Sequence, residues 1–323
     1  MNMPTETPIY IAGHRGLIGS ALVRRLTAAG HRHLITCDRS ALDLTDASAT
    51  NAFFAETRPE YVVLAAGRVG GIVENQQFPA DFITSNLAIQ LNVVQAARRH
   101  GVRRLILLGS SCMYPRECPQ PMEENTLLSG QLEPTSLAYA IAKLAGVQLC
   151  LACNQQDGEQ RFIPLIPNSA YGPHDNFDLG SGHVLASLIR RFVEAAQQGA
   201  PSVTLWGSGR PRREFVFADD IADACLQLLS RDISKLELPV NLGSGVDYSI
   251  AELAGKIAGF VGYTGNVVWD SSKPDGAPQK LLDSSRLRDW GWQAATGLDA
   301  GLHETIAWYR SNHVQEEQAC THQ

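Results

Sequence analysis

The chain has 323 residues, 44% hydrophobic and 19% charged, with a formal net charge of −6. That balance describes an ordinary soluble globular protein with room for two linked domains, and it gives no electrostatic case for nucleic acid or an anionic membrane as partner. No stretch reads as approaching the roughly 20 apolar residues that cross a bilayer, and the segment Met1-Asn2-Met3-Pro4-Thr5-Glu6 has neither a basic nor an apolar leader region, so a cytoplasmic location is expected.

The first predicted element is a strand over 9–12, Ile9-Tyr10-Ile11-Ala12. It runs into Gly13-His14-Arg15-Gly16-Leu17-Ile18-Gly19 and a helix over 17–29. Strand, glycine turn and helix in this order form a dinucleotide-binding unit. One glycine permits the tight turn, one lets the backbone approach a pyrophosphate, and one lets the helix pack on the strand, while the helix N-terminus receives the anion.

A second strand over 33–37 ends at Cys37-Asp38-Arg39, where an adenosine ribose would lie. Asp38 would accept from a free 2'-hydroxyl, as in NAD binding, whereas Arg39 and Arg15 would clamp a 2'-phosphate through charge-assisted bonds. The two arginines favour NADP (NADPH) over NADH.

A helix over 46–57, a strand over 61–65, a helix over 75–99, a strand over 104–109, a helix over 137–155 and a strand over 161–166 follow. Continuous apolar runs such as Tyr61-Val62-Val63-Leu64-Ala65 and Leu105-Ile106-Leu107-Leu108 fit strands covered on both faces, so the alternation predicts a doubly wound α/β fold with a parallel sheet.

After Pro167 the texture changes to glycine- and proline-rich loops, with helices predicted over 184–198, 219–230, 249–261 and 298–311. Short strands are predicted over 203–206, 239–242 and 267–269. The loops suit a substrate site. The polar stretch 313–323 reads as a flexible tail. Seven cysteines, an odd and scattered number, fit reduced thiols. Cys150-x-x-Cys153 has no second pair to complete a zinc site and reads as helix packing, so no metal is expected.

Tyr139 and Lys143 are four residues apart on the helix over 137–155 and therefore share a face. An unperturbed phenol titrates near about 10 and a lysine near about 10.4, so a lysine close by is expected to favour the phenolate and make Tyr139 a usable proton donor. Ser110, at the end of Leu105-Ile106-Leu107-Leu108-Gly109-Ser110, can hydrogen-bond the oxygen being protonated; Ser111 is equally able to on chemistry alone. Together these form a hydride-transfer signature.

With the glycine turn, Ser110, Tyr139 and Lys143, the chain resembles the extended short-chain dehydrogenase/reductase family over nearly its whole length. Longer strings narrow the resemblance to members acting on GDP-4-keto-6-deoxy sugars: Val69-Gly70-Gly71-Ile72, Gly109-Ser110-Ser111-Cys112-Met113-Tyr114-Pro115, Tyr171-Gly172-Pro173-His174-Asp175-Asn176-Phe177 and Lys273-Pro274-Asp275-Gly276. The resemblance implies a Rossmann domain over 1–167 and a smaller α/β substrate-binding domain over 168–312, with elements near 215–245 returning to the Rossmann sheet. It also implies an activity: inversion of C3 and C5 of GDP-4-keto-6-deoxy-D-mannose, then reduction of the C4 ketone with NADPH to GDP-L-fucose.

By the same resemblance Cys112 is the epimerising base and His183 its acid, a thiol titrating near about 8.5 and an imidazole near about 6.5. Lys143 would bind the nicotinamide ribose. Leu108, Gly109, Ser111, Pro167, Asn168, Ser169, Ala170 and His183 would line the cofactor, and Arg191, Trp206, Arg213 and Asp275 the GDP-sugar. The chain departs from the family where Pro167-Asn168-Ser169-Ala170 places its amide one position early, which opens the choice of sugar. Related colitose or heptose precursors are the alternative substrates, and a non-catalytic dinucleotide sensor is the alternative class. A homodimer is expected by resemblance.

Overall fold

The computed structural model describes residues 3–273 and 275–320. Its first half alternates as the apolar runs require: β1 (Ile9–Ala12), α1 (Leu17–Ala28), β2 (Leu34–Ile35), α2 (Ala47–Thr57) and β3 (Tyr61–Leu64). Then come α3 (Ile72–Gln77), α4 (Pro79–Arg99), β4 (Arg104–Leu108), α5 (Leu137–Asp157) and β5 (Phe162–Pro167). The single helix expected over 75–99 is two helices, because Pro79 lacks an N–H and starts a new helix at its first turn after Phe78.

The second half contains β6 (Ser169–Tyr171), α6 (Val184–Gln198), β7 (Ser202–Trp206), β8 (Arg212–Phe217), α7 (Ala218–Ser230) and β9 (Val240–Leu242). It closes with β10 (Asp247–Ser249), α8 (Ile250–Val261), β11 (Asn266–Asp270), β12 (Gln279–Lys280), α9 (Ser285–Trp290) and α10 (Leu298–Cys320). The last helix corrects the expected end at 311, since it continues to Cys320. Residues 321–323 of the expected tail lie outside the described residues.

Six parallel strands form the main sheet in the order β2-β1-β3-β4-β5-β9. Successive side chains of a strand point to opposite faces. Ile9, Ile11, Val63, Ile106 and Leu165 accordingly pack under α1 and α7, while Tyr10, Val62, Leu64, Leu105 and Leu107 pack under α4 and α5. Burying each such side chain contributes about 1.5–3 kcal/mol.

The chain reverses direction across the sheet at β1, with β2 on one side and β3 on the other. Ligands of such sheets bind beyond the strand ends at that switch point. A third core joins α6, α8 and α10 to β7 and β8, around Phe192, Ile257 and Leu302.

Pro134–Asp157, which includes α5, is long and apolar enough to cross a bilayer by length and composition, contrary to the expectation that no stretch approaches this. Half of its most apolar stretch is buried inside the protein. Among its buried residues are Tyr139 and Lys143.

Candidate active site

The glycine turn leaves the end of β1 and each glycine has its own reason. Gly13 has φ +84, and a Cβ there would lie 2.7 Å from the Ala66 backbone nitrogen. A Cβ on Gly19 would collide with the Gly13 carbonyl, so this glycine lets α1 sit against the turn. A Cβ on Gly16 would meet only the Gly13 carbonyl, at 3.5 Å, and the position faces open space at the start of α1. A tight turn, a close helix and an open helix N-terminus with no acidic residue in its first turn fit a dinucleotide pyrophosphate.

At the end of β2, Arg15 Nη2 donates to Asp38 Oδ2 at 2.7 Å, and His14 Nε2 lies 3.5 Å from Asp38 Oδ1. Arg15 is therefore already paired with an acid. Arg39 is exposed beside them.

Beyond β4 the chain turns through Gly109 and Ser110 into a single helical turn, Ser111–Met113, capped by Ser110, whose hydroxyl accepts from the Cys112 N–H at 3.3 Å. Tyr139 and Lys143 reach the same place from α5 and are 8% and 6% exposed. The Lys143 ammonium donates to the Leu108 carbonyl at 2.9 Å and lies 5.9 Å from the Tyr139 ring centroid. Phe82 closes the other side of the tyrosine ring at 6.2 Å.

The electrostatics differ from the sequence expectation. Burial pushes the Tyr139 hydroxyl well above the usual phenol range, the neighbouring Cys112 adds to the rise, and the Ser110 hydroxyl opposes it. Lys143 does not generate a phenolate: its own ammonium is lowered to about 8 by burial. The phenol thus holds its proton at neutral pH and is a donor, not a base.

Cys112 is half-buried next to Ser110. Burial alone would raise its thiol, but the Lys280 ammonium outweighs it together with hydrogen bonds from Ser110, Ser136 and Lys280, leaving the thiol below its ordinary value. Neither Lys280 nor Ser136 was legible as a site residue. Lys280 follows the Lys273–Gly276 string by four positions, and only the pairing of β12 with β8 brings it inward.

His183 caps the N-terminus of α6 with its backbone; the residue as a whole is exposed, while burial around its ring lowers its pKa below the ordinary imidazole value. The preceding loop is fixed by Asp178, whose Oδ1 accepts from the Gly180 and Ser181 N–H groups at 2.9 Å each. Gly71, in the loop before α3, donates its N–H to the Ser181 carbonyl at 2.9 Å, so the Val69–Ile72 string holds the histidine loop from the sheet side.

Of the segment expected to line the cofactor, Asn168 turns inward. Its Nδ2 donates to Glu214 at 2.5 Å and to the Lys280 carbonyl at 3.3 Å, leaving half-buried Ser169 and Ala170 at the surface. Among the substrate candidates, Asp275 accepts from the Ser208 N–H at 2.6 Å and hydroxyl at 2.7 Å, and Lys273 lies over Trp206 at 5.4 Å. A Cβ on Gly276 would stand 3.7 Å from Arg213. The segment around 273–276 thus gathers Trp206, Asp275 and Arg213; Pro274 of that string lies outside the described residues. Trp206 is 59% exposed, which leaves an indole face open to a ligand. Arg191, half-buried on α6, has no ion pair or hydrogen bond joining it to that group among the described residues.

The sequence profile of the NAD dependent epimerase/dehydratase family matches residues 9–243. The GDP-L-fucose synthase of Escherichia coli K12 is 47% identical, covering 94% of this chain and 97% of its own. A putative GDP-L-fucose synthase 2 of Arabidopsis thaliana is 49% identical over 96% of this chain and 94% of its own. A crystal structure of a GDP-L-fucose synthetase from Naegleria fowleri bound to NADP superposes with a TM-score of 0.89 at 29% identity, covering 97% of this chain and 96% of that one.

Proposed function

The chain belongs to the NAD dependent epimerase/dehydratase family, and from that premise we propose that it inverts C3 and C5 of GDP-4-keto-6-deoxy-D-mannose and reduces the C4 ketone to give GDP-L-fucose. One observation carries the reading. Cys112, a thiol suited to proton exchange, stands beside Ser110 and Tyr139, the pair suited to ketone reduction, and all three interact electrostatically or by hydrogen bond. A plain reductase has no use for the thiol, and a dinucleotide sensor has no use for either group.

Both carbons to be inverted lie α to the ketone, so removing their protons gives an enolate centred on the oxygen that is later protonated. Cys112 as thiolate takes the proton, and His183 returns one from the opposite face. Tyr139, held protonated by burial, then donates to O4 while Ser110 holds that oxygen. Bound NADPH supplies the hydride. Lys143 stays mostly cationic at pH 7, spends one N–H on Leu108 and has others for the nicotinamide ribose.

Residues 1–167 form the cofactor half, where Gly13, His14, Arg15, Gly16, Leu17, Ile18 and Gly19 cradle the pyrophosphate and adenosine. Residues 168–312 form mainly the substrate half. Arg191 and Arg213 pair with diphosphate oxygens, Trp206 offers its ring, and Asp275 accepts from the nucleoside. We place the enzyme in the cytoplasm and read it as a homodimer; what supports the dimer is that Leu87 and Leu91 on α4 and Leu137 and Ile141 on α5 expose an apolar stripe at i, i+4 spacing on two neighbouring helices.

The test is incubation with GDP-4-keto-6-deoxy-D-mannose in D2O, first without and then with NADPH, followed by NMR of the sugar. Deuterium at C3 and C5 before NADPH is added is the expected result. Reduction with NADPH but no label without it would remove the epimerase half.

A further inference from the structure

Lys280 ends β12, opposite Arg213 of β8 in a parallel pair, and its Nζ lies 3.6 Å from Cys112 Sγ. No ion pair to a carboxylate engages this ammonium among the described residues, whereas Arg213 is committed to the Arg212 carbonyl at 2.7 Å and assigned to the diphosphate. The strand that carries Lys280 is itself anchored: its carbonyl accepts from Asn168, and the next residues are tied down through Leu281 N–H to Gln120 at 2.9 Å and Leu282 N–H to Glu214 at 3.0 Å. A half-buried cation on a fixed strand, aimed at a sulfur, is a built pair.

We infer that Lys280 is a positioning residue of the proton-exchange half, holding Cys112 as the thiolate between the two inversions. The inference rests on the function proposed above. The cycle it serves balances as follows. Thiolate plus the C–H of the sugar gives thiol and enolate; imidazolium of His183 plus enolate gives the inverted carbon and neutral imidazole. Before the second inversion the thiol must release its proton to solvent and the imidazole must regain one. Lys280 keeps its own proton throughout and favours that release through its charge.

The groups around the sulfur that bear on its titration are Lys280 from β12, Arg213 from β8, Tyr139 from α5, and the hydroxyls of Ser110 and Ser136. Of these, Lys280 is the cation in hydrogen-bond contact with it.

The decisive measurement is the pH dependence of Cys112 alkylation by iodoacetamide in the full-length protein, followed by peptide mass spectrometry so that the other cysteines do not contribute. In the unaltered protein the midpoint is expected below the roughly 8.5 of a free thiol. Lys280→Met is expected to raise it by about one unit or more, equivalent to a tenfold or greater loss of thiolate at neutral pH, and Lys280→Arg to restore most of it. Deuterium exchange at C3 and C5 should follow the same shift, falling about tenfold near neutral pH and recovering as the pH rises.

An alkylation midpoint in the unaltered protein at or above that of a free thiol overturns the inference, even if Lys280→Met fails to fold. So does an unchanged midpoint in a folded Lys280→Met protein. The exchange measurement separates this from the parent reading: a shifted midpoint with no exchange in any form defeats the proposed function but not the Lys280–Cys112 pair.

Discussion

Arg15 and Asp38 close an ion pair of 2.7 Å that joins the glycine turn to the chain just beyond β2. With NADPH placed as proposed, the pair would let an acidic residue stand near the 2'-phosphate, because its charge is already offset by a guanidinium from the neighbouring loop. Removing the acid frees Arg15 and removes a repulsion. Asp38→Asn is therefore expected to lower KM for NADPH by about threefold to tenfold, and Arg15→Ala to raise it by a similar factor, since Arg15 is 77% exposed and its charge is screened by solvent. Steady-state kinetics at low and moderate salt check both, and equal effects on NADH would show that the 2'-phosphate is not what Arg15 reads.

The two chemical halves should separate by substitution. Tyr139→Phe is expected to slow reduction by about 10²–10⁴-fold while deuterium exchange at C3 and C5 persists, because it removes a proton donor used only in the last step. Cys112→Ser should suppress exchange yet leave hydride transfer to a pre-epimerised ketone largely intact. Parallel losses of both reactions in both variants would contradict this division.

Lys143 predicts an alkaline limit. Burial lowers its ammonium to about 8, so its charge disappears from the free enzyme as the pH passes that value. The kcat/KM for NADPH in the reductive step should fall above about pH 8. A profile flat to pH 10 would show that the charge is not needed.

Asp175 predicts a pH-dependent stability. Its carboxyl is buried, accepts from the Asn176 N–H at 2.7 Å, and has its other oxygen buried without a partner among the described residues. Burial raises it to about 7, well above the range it would have when unfolded. Between those two values the folded state holds the extra proton, so this group's contribution is present at low pH and is lost as pH rises through about 7. Asp175→Asn should raise Tm by several degrees at pH 8 and change it little at pH 4, as calorimetry at the two pH values would reveal.

The glycine turn can be tested without chemistry. Gly13→Ala forces a Cβ into left-handed backbone at φ +84 and against Ala66, a strain of about 1–2 kcal/mol from the backbone alone. Both Tm and NADPH affinity should drop. Gly16→Ala meets open space instead and should weaken the cofactor with little change in Tm of the free protein.

Most of the Rossmann sheet was legible because both faces are covered: a run such as Leu105–Leu108 has no polar alternation to blur it, and its glycine turn is punctuation of one kind. Strands β6, β8, β10 and β12 were not: β8, Arg212–Phe217, opens on two arginines and an acid, the other three have only two or three residues, and all four owe their existence to partners far along the chain. The same cause hid Lys280, whose role comes from strand pairing rather than from neighbours in sequence. The protonation of Tyr139 was misread for a different reason. Four-residue spacing puts Lys143 on the correct face, but it does not say that the ammonium bonds to Leu108 or that burial outweighs it.

Glu214 has no exposed surface, and its carboxylate accepts from the Asn168 amide at 2.5 Å, the Leu282 N–H at 3.0 Å and the Gly245 N–H at 2.7 Å. Two of those three donors are main-chain groups, which every residue except proline possesses. Position 282 can therefore drift in identity among residues that fill its buried site without altering where β12 lies, whereas Glu214 itself has little freedom: even Glu214→Gln would turn an amide donor toward one of these N–H groups. In a lineage that changes its sugar, variation should collect in the loops around this carboxylate and spare the carboxylate.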